Sequence, residues 1–147
     1  MSDTQGFGLD ELWVGQSAQI ERLVDETTIE KFAEVSGDYN PLHMDEAYAA
    51  KSAFRGRIAH GALVASFVSC VLGSHLPGPG AVFAGMSMRF SKPVRIGDTV
   101  IARATIKDID VTKRRVILEC VCLVDDEIVM EADAEVMVRK RRKKSAD

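Results

Sequence analysis

The sequence predicts an α+β domain in which an antiparallel sheet wraps around one buried helix. Three observations point there. Helical patterns fill the first half, and Ala62–Leu72 is apolar nearly all round. After Gly80 the chain reads as strands, with period-two alternation in Thr99–Lys107 and in the last strand, and Val116–Val124 largely apolar on both faces. Helices first and consecutive strands later is the order of an α+β chain, not of alternating βαβ units.

The elements follow in order. A short lead, residues 1–13, precedes a strand around Gln16–Val24. Thr27 or Thr28 can cap a helix through about Val35, with Glu30 in its first turn and Ile29, Phe32 and Ala33 on its apolar side. Ser36-Gly37 ends it, because glycine takes the left-handed conformation that stops a helix. Asp38-Tyr39-Asn40-Pro41-Leu42-His43 reads as a loop, stiffened because Pro41 fixes its own φ and keeps Asn40 out of helical geometry. A short helix over Asp45–Lys51 leads into the Phe54–Ile58 connection.

Ala62–Leu72, interrupted only by Ser66 and Ser69, predicts a helix buried on most sides. Gly73 and Pro77-Gly78-Pro79-Gly80 end it. Strands are expected at Phe83–Ser91, Thr99–Lys107 and Val116–Val124. A last strand places Ile128, Met130, Ala132, Ala134, Val136 and Val138 on one face. The basic run Arg139–Lys144 reads as a frayed, solvated tail; the alternative is that it attracts the phosphates of a nucleotide-bearing substrate.

Composition narrows the function classes. A chain of 147 residues, 46% hydrophobic and 28% charged, makes one soluble domain with a real core. The formal net charge of -3 gives no electrostatic case for nucleic acid. No apolar stretch approaches the roughly 20 residues that span a bilayer, and Met1–Asp10 lacks the basic and apolar regions of a secretory signal. Cys70, Cys120 and Cys122 sit in apolar runs without CxxC spacing, which predicts buried, reduced thiols and a cytoplasmic setting.

Two short segments carry candidate chemistry. Asp38 and His43, five residues apart across Asn40-Pro41, can converge on one volume and hold a water whose protons they move. The same spacing equally serves a helix cap and a backbone hydrogen bond. His60-Gly61 precedes the apolar helix, whose first N–H groups lack internal partners and carry partial positive charge. A glycine there admits a carbonyl oxygen, so Gly61 N–H can act as an oxyanion hole, or Gly61 simply allows a tight path into a crowded helix. Ser69 either bonds back to its own helix or orients Asp38. GxSxG, P-loop and GxGxxG motifs are absent, and His43, His60 and His75 form no metal-like spacing, so the sequence predicts chemistry without cofactor or metal.

Together, Ser36-Gly37-Asp38-Tyr39-Asn40-Pro41-Leu42-His43 and His60-Gly61-Ala62-Leu63 resemble the hallmark segments of MaoC-like (R)-specific enoyl-CoA hydratases, especially those of polyhydroxyalkanoate synthesis. The resemblance runs from Val14 to Val138 through Leu76-Pro77-Gly78-Pro79-Gly80, Phe90-Ser91-Lys92-Pro93-Val94 and Gly97-Asp98. It implies a hot-dog fold, a homodimer and a cofactor-independent hydro-lyase that adds water to a trans-2-enoyl-CoA. It also implies that Asp38 and His43 bind the catalytic water and that Gly61 N–H takes the thioester oxygen. Ser69 and Asn40 are then supporting residues, and His60 is structural. Met86 departs from the glutamine that relatives often carry. A hot-dog thioesterase and a non-catalytic acyl-CoA binding module are the alternatives at this stage.

Overall fold

The computed structural model describes residues 5–140. Five strands, β1 (Ser17–Leu23), β2 (Val82–Phe90), β3 (Thr99–Asp110), β4 (Arg115–Val124) and β5 (Glu127–Met137), form one antiparallel sheet. Their order across it is β1-β3-β4-β5-β2. Helix α4 (Gly61–Ser74) lies against the sheet and contributes Leu63, Val64, Phe67, Val68, Val71 and Leu72 to the core. From β3 come Val100, Ala102, Ala104 and Ile106, all at most 1% exposed, as their alternation predicted. The small alanines let the helix approach the sheet closely.

Helix α1 (Glu26–Ser36) is capped two or three residues earlier than expected. Asp25, not Thr27 or Thr28, is the cap: its Oδ1 accepts from both N–H and hydroxyl of Thr28 at 2.8 Å. Those two bonds also hold the Asp25 carboxyl below its ordinary value. Gly37 does end the helix, at φ 78°.

The expected loop after it contains one helical turn, α2 (Pro41–Met44). Asn40 caps it by accepting from Leu42 N–H at 3.0 Å, and Pro41 fits the first helical position, where no N–H is needed. Asp45 then caps α3 (Glu46–Ala50).

Three further expectations are corrected. Ile128 is 39% exposed while Val129 is 3% exposed, because a bulge opposite Cys122/Leu123 reverses the alternation at the start of β5. Helix α4 is buried on most sides, as expected, and leaves uncovered only a strip of small residues, Ala62, Ser66, Ser69 and Gly73. Cys70 is only half-buried, with Arg22 Nη2 at 3.6 Å from its sulfur. Cys120 and Cys122 are buried as expected, and desolvation pushes both thiols up to about 12. Finally, Arg139 is not part of a frayed tail: Nη2 donates to the Pro79 carbonyl at 2.8 Å, and its own carbonyl accepts from Leu9 N–H. The rest of the basic run, beyond residue 140, lies outside the described residues.

Leu9, in the lead, is 5% exposed and belongs to the core. Among the described residues no helix is long and apolar enough to cross a membrane.

Candidate active site

The segment Gly37–His43 is set down against the start of α4 by a buried imidazole. His60, 1% exposed, bonds through Nε2 to the Asp38 carbonyl at 2.9 Å. A carbonyl only accepts, so this nitrogen carries the hydrogen. Nδ1 of His60 is buried without a partner. The ring packs between Phe32, at 4.9 Å between centroids, and His43, at 4.1 Å.

Local sequence fixes Asp38 from both sides. Its N–H donates to Ser36 Oγ and its Oδ1 accepts from Asn40 N–H, both at 3.1 Å. The short polar side chains of Ser36, Asp38 and Asn40 thus replace the backbone ladder that the loop lacks. The Asp38 carboxylate stays exposed.

His43 is 9% exposed, and its Nδ1 donates to the Ile58 carbonyl at 2.8 Å. In the neutral ring Nε2 is then left as a lone-pair acceptor. Burial is the main reason that the His43 pKa lies below 6.5; the Ile58 carbonyl and Asp38 oppose the shift and His60 adds to it. Arg57 Nε anchors the turn by donating to the His43 carbonyl at 2.7 Å.

Polar atoms of Asp38, His43 and His60 lie within 4.8 Å of one another. As a metal-ligand set the trio fits poorly. One nitrogen of each ring donates to a carbonyl and the other keeps its lone pair, but the two rings lie face to face, 4.1 Å apart and tilted by 35°. Stacked imidazoles direct their in-plane lone pairs side by side, not at one ion about 2 Å from each.

Beside His43 opens a cavity of about 310 Å³ with mainly apolar walls, among them Ile58, Val64, Phe90, Val94 and Val129. The bulge in β5 turns Val129 into this space. Gly61 also lines it, as the first residue of α4. A Cβ on Gly61 would stand 2.9 Å from Phe90 Cζ, so glycine is required for the ring and helix to meet. No acceptor among the described residues takes the Gly61 N–H.

Of the residues singled out in the sequence, Asp38, Asn40, His43 and Gly61 come together here. Ser69 does not join them within the protomer: it is exposed on α4 and makes no hydrogen bond to Asp38. Sequence reasoning gave no role to Phe54, Phe90 or Val129 in the cavity, nor to Arg57 behind His43. Apolar residues in a connection and at a strand end carry no signal of which cavity they face.

Comparisons with known proteins agree with this geometry. The MaoC like domain family matches residues 14–128. An "(R)-specific enoyl-CoA hydratase" of Rhodospirillum rubrum is 46% identical over 127 residues, 86% of this chain and 88% of that protein. A "3-hydroxybutyryl-CoA dehydratase" of Methylorubrum extorquens is 40% identical, over 94% of this chain and 87% of its own. Among solved structures, the R-hydratase PhaJ1 of Pseudomonas aeruginosa superposes with a TM-score of 0.87 at 34% identity, covering 97% of this chain and 94% of that one. A five-stranded antiparallel sheet around a central helix, the two motif segments at its mouth and these matches make the chain a hot-dog protein that belongs to the MaoC-like family.

Proposed function

We propose that the protein is an (R)-specific enoyl-CoA hydratase, adding water reversibly to a trans-2-enoyl-CoA to give an (R)-3-hydroxyacyl-CoA. The observation that carries this reading is three complementary groups, two on the wall of an apolar cavity and the third, a carboxylate, with an oxygen within 4.8 Å of a His43 ring nitrogen. These are the Asp38 carboxylate, the His43 Nε2 lone pair and the unclaimed Gly61 N–H. The identity to named hydratases over most of the chain supports the same assignment.

Each group has one task. Gly61 N–H, with the partial positive charge of the α4 N-terminus behind it, donates to the thioester oxygen and makes C3 electrophilic. His43 Nε2 accepts a hydrogen bond from the water and orients it. Asp38 removes a proton as the water oxygen bonds to C3, and the acid–base pair returns a proton to C2. One hydroxyl and one hydrogen have been added, and the protein ends in its starting charge state. The apolar walls take the acyl chain, and Asn40 keeps Asp38 aimed.

The working unit is a homodimer. Strand β2 is an edge, and its inward-facing Met88 and Phe90 are 48% and 45% exposed. An apolar edge strand that shows both faces to water is a strong pairing surface. The uncovered strip of α4 extends the same unfinished surface, and Ser69 lies on it.

The test is product analysis with crotonyl-CoA. The enoyl absorbance should fall with no free thiol released, leaving the (R)-3-hydroxy thioester. Release of CoA would make the protein a thioesterase instead, and binding without turnover would make it a carrier.

A further inference from the structure

A second concavity adjoins the apolar cavity and has the opposite character. It is lined by Glu46, Arg55, Gly56, Arg57, Arg95 and Ile96, and shares Phe54 with the cavity as a common wall. The bridge between Ile58 and Arg95 explains the adjacency. Ile58 and Val94 face the apolar side, while Arg57 and Arg95, next in each segment, face the basic one.

The three guanidiniums are not equally committed. Arg57 gives Nε to the His43 carbonyl and Nη1 to Glu26 at 2.9 Å. Arg95 gives Nη2 to the Phe54 carbonyl at 2.7 Å. Its Nη1 stays at the floor, 3.4 Å from where a Gly56 Cβ would stand, with Glu46 Oε1 at the same distance. Arg55 is exposed and its side chain has no partner among the described residues, so Glu26 and Glu46 leave its charge unneutralised. Its backbone is left-handed at φ 58°, a conformation that is strained for a residue with a side chain. A glycine would sit there without strain, and would present no cation.

We propose that Arg55 and Arg95 form a subsite for the nucleotide phosphates of coenzyme A, which makes the enzyme prefer CoA thioesters over thioesters on an acidic carrier protein. The inference rests on the acyl-CoA reading of the neighbouring cavity. Guanidinium forks match phosphate oxygens in pairs, and a chain of net charge -3 gathers positive charge here beside the substrate's path. The shape decides between the two carriers. A concavity whose floor is kept bare by Gly56 admits a nucleotide, whereas a folded protein surface rests on a rim.

The experiment compares crotonyl-CoA with crotonyl-pantetheine, which lacks the nucleotide, on the wild type and on Arg55→Gln. The ratio of kcat/KM for the CoA ester to that for the pantetheine ester should fall roughly five-fold in the variant, through KM. The difference should shrink as salt is raised. An unchanged ratio overturns the proposal. So does a loss in Arg55→Gln that appears only with crotonyl-acyl-carrier protein, which would assign the arginines to that protein. If the wild type hydrates neither ester, the hydratase reading fails, but titration with adenosine 3′,5′-bisphosphate still judges the subsite. Binding that Arg55→Gln weakens supports it, and no binding to the wild type overturns it.

Discussion

At the scale of single residues, the site turns on which atoms are left free once the backbone has been satisfied. His43 spends Nδ1 on Ile58, so its useful atom is Nε2, and only the neutral ring leaves that atom an acceptor. Burial lowers its pKa below 6.5, so the ring stays neutral into mildly acidic solution. The acid limb assigned to His43 in the pH–rate profile should therefore fall below 6.5, and a limb above 6.5 would contradict this. The same shift acts on stability. It contributes fully above 6.5, and is lost as pH falls toward the lowered folded value. Gly61→Ala should lower kcat/KM, because its Cβ meets the Phe90 ring at 2.9 Å. Since Phe90 is 45% exposed, Gly61→Ala combined with Phe90→Ala should recover part of the loss, measured by steady-state kinetics. Asp38, His43 and Gly61 were legible because each motif restricts chemistry and backbone together. The His60 bond to the Asp38 carbonyl was not, since it joins residues 22 apart and depends on a burial that spacing does not encode.

At the scale of elements, short-range rules read well and longer-range ones less so. Gly37 was identified as the stop of α1, and its φ of 78° shows why. A Cβ there would meet nothing within 4 Å, so Gly37→Ala tests conformation alone. We expect a loss of about 1 kcal/mol and a fall in Tm of roughly 2–4 °C. Gly37→Asn should cost less, because asparagine tolerates the left-handed region; thermal unfolding of both variants checks the order. The β3 face was legible from alternation, whereas the start of β5 was misread, because a bulge shifts parity and leaves no mark in composition. The turn α2 was hidden for a different reason. Asn-Pro signals both a loop and the first turn of a helix, and only the packing of His43 against Ile58 selects the second.

At the scale of the whole molecule, the single protomer is incompletely covered along β2 and the small-residue strip of α4. The sequence showed that α4 is apolar nearly all round, and one sheet accounts for only part of that face. We expect a particle of two 16.1 kDa chains in sedimentation, and a monomer that has lost hydratase activity when Met88 is changed to Lys. A wild type that sediments as a monomer with full activity would show that one protomer suffices. The central claim is that Asp38 is the base that activates water, and it is tested most directly by crotonyl-CoA turnover of purified Asp38→Asn. The exchange keeps the shape of the loop, and removes the group that takes the proton. The account predicts a fall in kcat of about 10²–10⁴-fold with the fold intact; full turnover by the variant would contradict it.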